Sequence, residues 1–137
     1  KRMRKLESMR PDLPKANLIG DPAAAIGIIG YGSNRGPIAE AQDRLLARGL
    51  PVKFLQLRTL WPFPEEEVRD FIERAEHVYV VENNYTGQLD RLIRYVVGPI
   101  PKLHRVLKYN GRPFRPIEII ESIATPSADG RVTAGVR

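Results

Sequence analysis

Short apolar runs, separated by stretches in which apolar residues recur every three or four positions, organise this chain. Ala24–Ile29, Val52–Leu57, His77–Val81 and Leu103–Leu107 are the runs, the second interrupted by Lys53 and Gln56 and the last by His104 and Arg105. Runs of that length read as strands, and His77–Val81, apolar on both faces, reads as the central one. Gly36–Arg48 reads as a helix that places Ile38, Ala41 and Leu45 on one face, with Ser33 or Asn34 as its cap and Gly49 as its stop. A second helix over Pro64–Arg74 has Pro64 in its first turn and Glu65, Glu66 and Glu67 at the positive end of its dipole, and buries Val68, Phe71, Ile72 and Ala75. A third, Gly87–Val97, carries Leu89, Leu92, Ile93 and Val96 and ends at Gly98-Pro99 and Pro101. After the Asn110-Gly111 turn, Pro116–Ile123 fits a closing helix with Ile117, Ile120 and Ile123 inward. Strands alternating with helices predict an α/β fold with a mostly parallel sheet in three layers.

The ends lack this rhythm. Lys1–Met9 fits a short helix with Leu6 and Met9 as a thin apolar stripe, broken by Pro11 and Pro14. Asn17–Pro22 reads as a linker or turn, so residues 1–22 are expected to be a basic lead-in and 23–123 the domain. From Ala124 onward the chain is polar without periodicity and reads as a disordered tail, 124–137.

Composition narrows the function. A chain of 137 residues suits one domain with a core of its own. No apolar run approaches the roughly 18 residues of a membrane helix. The basic start Lys1-Arg2-Met3-Arg4-Lys5 is followed by no apolar segment, so no signal peptide is read and a cytoplasmic location is expected. Starting without Met, the chain reads as a fragment of something longer. The net charge of +6 comes from Arg spread along the chain, with only the first ten residues strongly basic. No RNA or DNA motif accompanies it, so nucleic acid is not expected as a partner, although a basic module working through Lys1–Arg10 stays open. The absence of cysteine removes disulfides, thiol nucleophiles and cysteine-held iron–sulfur clusters, and two histidines are too few for a protein-only zinc site. In a redox enzyme the electrons would have to run through another domain or chain.

Two polar turns carry the candidate chemistry. Gly30-Tyr31-Gly32-Ser33-Asn34-Arg35-Gly36 lies between a strand and a helix like a dinucleotide fingerprint, but its G-x-G-x-x-x-G spacing is one residue too long. The second strand ends Gln56-Leu57-Arg58, with no acid for a ribose; Arg58 could favour a 2′-phosphate. A tight turn needing glycine is the preferred reading, and an anion or partner contact at the helix N-terminus, helped by Arg35, is intermediate. Glu82-Asn83-Asn84-Tyr85-Thr86-Gly87-Gln88 leaves the central strand directly. Glu82 could act as a desolvated acid or base, but loop stitching or helix capping by Glu82, Asn83, Asn84 and Gln88 is favoured. Trp61 and Phe63, set between prolines, read as packing or interface residues. Neither Gly20-Asp21-Pro22 nor Ala128-Asp129-Gly130 has the context of a diphosphate-binding G-D-G motif, so no catalytic residue is assigned.

Four stretches then align in order: Ile26-Gly27-Ile28-Ile29-Gly30-Tyr31-Gly32-Ser33 with Gly36 and Glu40-Ala41; Leu60-Trp61-Pro62-Phe63-Pro64; Val80-Val81-Glu82-Asn83-Asn84 with Gly87-Gln88-Leu89; and Gly111-Arg112-Pro113-Phe114 with Pro116 and Glu118-Ile119. Together they resemble the C-terminal part of the α subunit of 2-oxoacid:ferredoxin oxidoreductases, most closely the 2-oxoglutarate type. The resemblance implies a transketolase C-terminal-like fold: three layers around about five strands, one commonly antiparallel. It implies a whole enzyme that decarboxylates a 2-oxoacid, forms an acyl-CoA and reduces ferredoxin. Thiamine diphosphate, magnesium and iron–sulfur clusters would be held on other domains or chains, and no cofactor by this chain alone. The implied partners are an N-terminal pyrimidine-binding domain of the same subunit, a β subunit with the diphosphate site and cluster, and ferredoxin and CoA at the level of the whole enzyme. This chain would be a non-catalytic interface domain, with Gly30, Tyr31, Gly32, Ser33, Asn34, Arg35, Glu82, Asn83, Asn84, Thr86, Gly87 and Gln88 meeting at one sheet edge as interface or anion contacts. An independent nucleotide- or anion-binding module using the Gly30–Gly36 turn is the competing reading.

Overall fold

A computed structural model describes residues 4, 5, 8, 16–124 and 131–133. Residues 4, 5 and 8 are helical; Leu6 and Met9 of the expected lead-in stripe lie outside the described residues. From there the chain runs β1 (Asn17–Ile19), β2 (Ile26–Tyr31), a 3-10 turn (Gly32–Asn34), α1 (Arg35–Ala47), β3 (Val52–Leu57), α2 (Glu65–Glu73), β4 (His77–Glu82), α3 (Gln88–Val97), β5 (Leu103–Leu107), α4 (Pro116–Ala124) and β6 (Arg131–Thr133). The sheet order is β1-β3-β2-β4-β5-β6, parallel throughout except for β1, which is antiparallel to β3. The three-layer, mostly parallel α/β architecture expected from the pattern is the one found.

Both faces of the sheet are covered, and the strand period of two divides the core. On one face Ile28, Phe54, Tyr79, Val81 and Val106 pack with Ile38, Ala41 and Leu45 of α1 and Ile119, Ile120 and Ile123 of α4. On the other, Ile29, Leu55, Leu57, Val78, Val80 and Leu103 meet Val68, Phe71 and Ile72 of α2 and Leu89 and Ile93 of α3. β2 lets the helices come close through missing side chains. A Cβ at Gly27 would lie 2.7 Å from the Phe71 ring, and one at Gly30 would lie 2.7 Å from the Ile38 side chain. Those glycines serve packing on opposite faces.

Four expectations are corrected. Asn17–Ile19, read as linker, is an edge strand registered Asn17↔Gln56 and Ile19↔Phe54. Three residues are too few to show a period, and their pairing is a tertiary contact. Residues 131–133, inside the stretch read as disordered, pair in parallel with 105–107; the rest of 125–137 lies outside the described residues. Ile117 is only half-buried, and Ile119 takes its inward place. Asn34 stands at the N-cap of α1 but makes no side-chain cap hydrogen bond. No helix among the described residues is long and apolar enough to cross a membrane.

The edge at the N-termini of the parallel strands is closed by cations and imidazoles. Lys53 on β3 is buried; its Nζ donates to Arg74 O at 3.0 Å and lies 4.9 Å from the centre of the Phe71 ring. Lys102 Nζ donates to Ala75 O at 2.7 Å. Both ammonium groups serve carbonyls at the C-terminal end of α2, where the helix dipole favours positive charge. Beside them His77 Nδ1 and His104 Nε2 are 3.1 Å apart, and the His104 ring stacks on Tyr79 at 4.9 Å. Among the described residues, the His104 Nδ1 atom is buried with no hydrogen-bond partner. A proton there would be a buried donor with nothing to receive it. Burial first, then His77 and then the Arg94 guanidinium push the His104 pKa below its usual value.

The unfolded chain therefore takes up a proton on His104 at a higher pH than the folded chain does. The stability from the neutral ring is complete above the ordinary histidine pKa of about 6.5 and is lost as pH falls from there toward the lower folded value. Thermal melting of this chain should shift to lower temperature between about pH 7 and pH 5.5, and His104→Phe should flatten that slope. An unchanged slope in the variant would place the linkage elsewhere.

Candidate functional site

β2 and β4 are parallel neighbours, so the turns that leave them emerge side by side at the C-terminal edge of the sheet. The two candidate stretches are therefore brought together. Asn34, buried, spans them by donating from Nδ2 to Val81 O at 3.4 Å. Gly30 is inside β2 and buried, Tyr31 ends the strand half-buried, and Gly32, Ser33 and Arg35 are exposed. On the β4 side Glu82 and Gly87 are buried, Asn84 is half-buried, and Asn83, Thr86 and Gln88 are exposed.

Glu82 is the centre of the second turn. It is the last residue of β4 and wholly buried. Its Oε1 accepts hydrogen bonds from Leu89 N at 2.5 Å and Asn84 Nδ2 at 3.0 Å, and its Oε2 accepts from Asp90 N at 3.0 Å. The carboxylate thus sits at the positive N-terminus of α3 and receives amide donors that the helix leaves unpaired. Asn84 completes the cap: its Oδ1 accepts from Gly87 N at 2.7 Å and Gln88 N at 3.3 Å. Gly87 has φ +64°, and a Cβ there would lie 3.4 Å from Arg105 Cδ. The chain must enter the helix left-handed at that point, and glycine does so without steric cost. The turn is thus a helix cap written in side chains, the reading preferred for Glu82. An acid or base needs an oxygen turned toward a substrate, and both oxygens of Glu82 are turned toward α3.

A second buried carboxylate follows. Asp90 Oδ2 accepts from Arg94 Nε at 3.0 Å and Arg105 Nε at 2.6 Å, which ties α3 to β5. On β2 the Tyr31 hydroxyl is pushed above its usual pKa, first by burial and then by the charge of Glu82. Where β5 ends, buried Lys108 donates to Glu118 of α4 at 2.8 and 2.9 Å and to Pro113 O at 2.8 Å. Burial alone would raise the Glu118 carboxyl, but the Arg115 backbone N–H and Lys108 outweigh it and hold its pKa below the usual range. Asn83 Nδ2 donates to Arg112 O at 3.4 Å, joining the β4 turn to the β5 loop.

The sequence reading did not single out Asp90, Arg94, Arg105, Lys108 or Glu118 as a network. The Asp90–Arg94 pair has the legible spacing i, i+4. Arg105 and Lys108 reach partners that only the fold brings near. Trp61 and Phe63 part company: Phe63 is buried in the core, and Trp61 is exposed.

Among the described residues, Gly20-Asp21-Pro22 forms no cradle for a thiamine diphosphate. In Gly20-Asp21-Pro22 the Asp21 carboxylate closes its own turn, accepting from Ala23 N at 2.9 Å, and lies toward the opposite edge of the sheet. Ala128-Asp129-Gly130 lies outside the described residues. Among the described residues no group of three or more His, Asp or Glu is placed to hold a metal ion.

A parallel sheet in this order, with an antiparallel edge strand and helices on both faces, defines a transketolase-like α/β domain. A split-gene transketolase matches 82% of the chain at 19% identity and a TM-score of 0.61, a likeness of fold alone. The family described as "Pyruvate:ferredoxin oxidoreductase core domain II" matches residues 24–119, and this chain belongs to that family. The α subunit of 2-oxoacid:ferredoxin oxidoreductase 2 from Aeropyrum pernix is 37% identical over 118 residues, covering 86% of this chain and 18% of the relative. The structure of 2-oxoglutarate:ferredoxin oxidoreductase from Magnetococcus marinus, with 2-oxoglutarate, coenzyme A and succinyl-CoA bound, superposes on 90% of this chain and 21% of its own with a TM-score of 0.80 at 32% identity. The α chain of a probable 2-oxoacid ferredoxin oxidoreductase from Thermoplasma acidophilum is 37% identical over 80% of this chain and 94% of its own, with a TM-score of 0.55. This chain spans about a fifth of the length of the archaeal 2-oxoacid:ferredoxin oxidoreductase α subunits it matches, 18 to 21%.

The cap geometry makes Glu82 a stability residue. Glu82→Ala strands the Leu89 and Asp90 amides and should destabilise this chain by about 3 kcal/mol in urea denaturation, with Glu82→Gln intermediate. Asn83→Ala, at an exposed position, should stay within about 0.5 kcal/mol of the parent. A tolerated Glu82→Ala would show that the carboxylate is held in place for something other than the cap.

Proposed function

We propose that this chain is a non-catalytic assembly domain in the α subunit of a cytoplasmic 2-oxoacid:ferredoxin oxidoreductase. The reaction of the whole enzyme would convert 2-oxoacid, CoA and oxidised ferredoxin to acyl-CoA, carbon dioxide and reduced ferredoxin. The observation that carries the reading is the state of the sheet's C-terminal edge. The carboxylate best placed for chemistry, Glu82, is spent on Leu89, Asp90 and Asn84. Glu118 and Lys108 are spent on each other. Outward stands a rim that includes Ser33, Arg35, Asn83, Thr86 and Gln88. Such a rim suits contact with a pyrimidine-binding domain of the same subunit and with a β subunit. Thiamine diphosphate, magnesium and iron–sulfur clusters belong, on this reading, to those neighbours, as do the sites for CoA and ferredoxin.

A second reading, a nucleotide- or anion-binding module, draws on α1. Its first turn has no side-chain cap and no acid, and among the described residues nothing lies within 4 Å of a Cβ built at Gly32 or Gly36. Against it, the G-x-G-x-x-x-G spacing is one residue too long for a dinucleotide fingerprint, and the second strand ends without an acid for a ribose. Submillimolar binding of NAD, NADP, ATP or CoA to this chain in calorimetry would favour this second reading.

On the assembly reading, this chain given 2-oxoglutarate, CoA and an electron acceptor shows no turnover. Gln88→Ala in the complete enzyme should weaken subunit association or activity several-fold while changing the folding stability of this chain by less than about 0.5 kcal/mol. Turnover by the chain alone, or a loss confined to folding, would overturn the assignment. Asn84, bonded to Glu82, Gly87 and Gln88, is unsuited to that test because its loss breaks the cap.

A further inference from the structure

With its carboxylates engaged inward, the C-terminal edge presents aromatic rings beside its exposed arginines. Tyr85 in the β4 turn is 71% exposed and Tyr109 in the β5 loop is 43% exposed. The two rings meet edge to face with centroids 4.9 Å apart. Trp61, on the connection that leaves β3 at the same edge, is 55% exposed. The tyrosines are not loose. The Tyr85 turn is pinned by Asn84 and Glu82, and Asn83 ties it to Arg112 in the loop that carries Tyr109. That loop is anchored in turn by Lys108 on Glu118 and on Pro113 O.

We infer that the Tyr85–Tyr109 pair is the anchor by which this domain docks against the remaining polypeptide of its own α subunit. The inference rests on the assembly reading above and names the partner and the residues that reading leaves open. Tyrosine and tryptophan carry much of the binding energy in protein contacts, because they bury large area at small cost in side-chain freedom. A pair already held edge to face gives up less freedom still.

The size of the feature selects the occupant. Separate chains that associate stably bury on the order of 1,200–2,000 Å² in total, far more than two rings supply. Domains joined in one chain need much less, because the covalent link supplies a high effective concentration. About four fifths of each archaeal relative lies outside the matched segment, which spans 18 to 21% of it, so the α subunit has ample chain to cover this edge. The surface required is an apolar pocket with oxygen acceptors for the tyrosine hydroxyls. Its rim would be acidic, facing the exposed Arg35, Arg58 and Arg112.

Hydroxyl-radical footprinting of the complete α subunit, set beside this chain, tests the inference. Tyr85 and Tyr109 should label several-fold more slowly in the α subunit, while exposed Tyr95 on α3, away from this edge, serves as the internal reference. The double variant Tyr85→Ala, Tyr109→Ala should speed proteolytic separation of the domain from the complete α subunit while leaving the melting temperature of this chain nearly unchanged. Equal labelling in both proteins would overturn the inference. So would protection that appears only when the β subunit is added, which would assign the edge to the other chain. Either result, in an enzyme that still oxidises a 2-oxoacid, removes this anchor and leaves the assembly reading standing. Turnover by this chain alone would remove the assembly reading itself.

Discussion

The carboxylate of Glu82 at the N-terminus of α3 is the contact on which the C-terminal edge depends. A strand running outward from the middle of a parallel sheet must reverse into a helix, and that helix begins with amide hydrogens that have no intrahelical acceptor. Here the last side chain of the strand supplies the acceptors: Glu82 takes Leu89 and Asp90, and Asn84 takes Gly87 and Gln88. Burying the charge is tolerable because each oxygen has a donor and the helix dipole favours it. The position of α3 then sets Asp90, which gathers Arg94 and Arg105 and fixes α3 to β5.

The cap also bears on function. A helix N-terminus after a parallel strand is an anion site when its amides are left open. In α3 the chain fills that place with its own carboxylate. On β2 the glycine next to the turn, Gly30, is likewise covered by protein, the Ile38 side chain. The fold retains the outline of a ligand-binding α/β domain with the inner positions taken by protein groups. Association with other protein surfaces is the role the assembly reading gives such an edge.

The architecture was largely legible because buried parallel strands are apolar on both faces and their helices are amphipathic. β5 was placed to the residue, and the inward faces of α1 and α2 were read correctly from spacing. β1 and β6 were not legible, because each is three residues long and exists only through its neighbour. In the site, Glu82 was visible as a polar residue ending an apolar run, and capping was the preferred reading. The braces were not visible. Arg105 meets Asp90 across 15 positions and Lys108 meets Glu118 across 10, separations at which a sequence carries no periodic signal. Tyr85 and Tyr109, apart in the chain, become a pair only when β4 and β5 lie side by side.

Taken together, the loops behave as one braced rim. Asn34 links the β2 turn to β4 through Val81 O, Asn83 links the β4 turn to the β5 loop, and Lys108 links that loop to α4 through Glu118. Each link orders residues within the domain itself, so a partner arriving at the edge has little left to order, and less of the contact energy is offset by lost freedom. The rim turns its carboxylates and Lys108 inward, where they hold geometry, and leaves rings, arginines and small polar side chains outward.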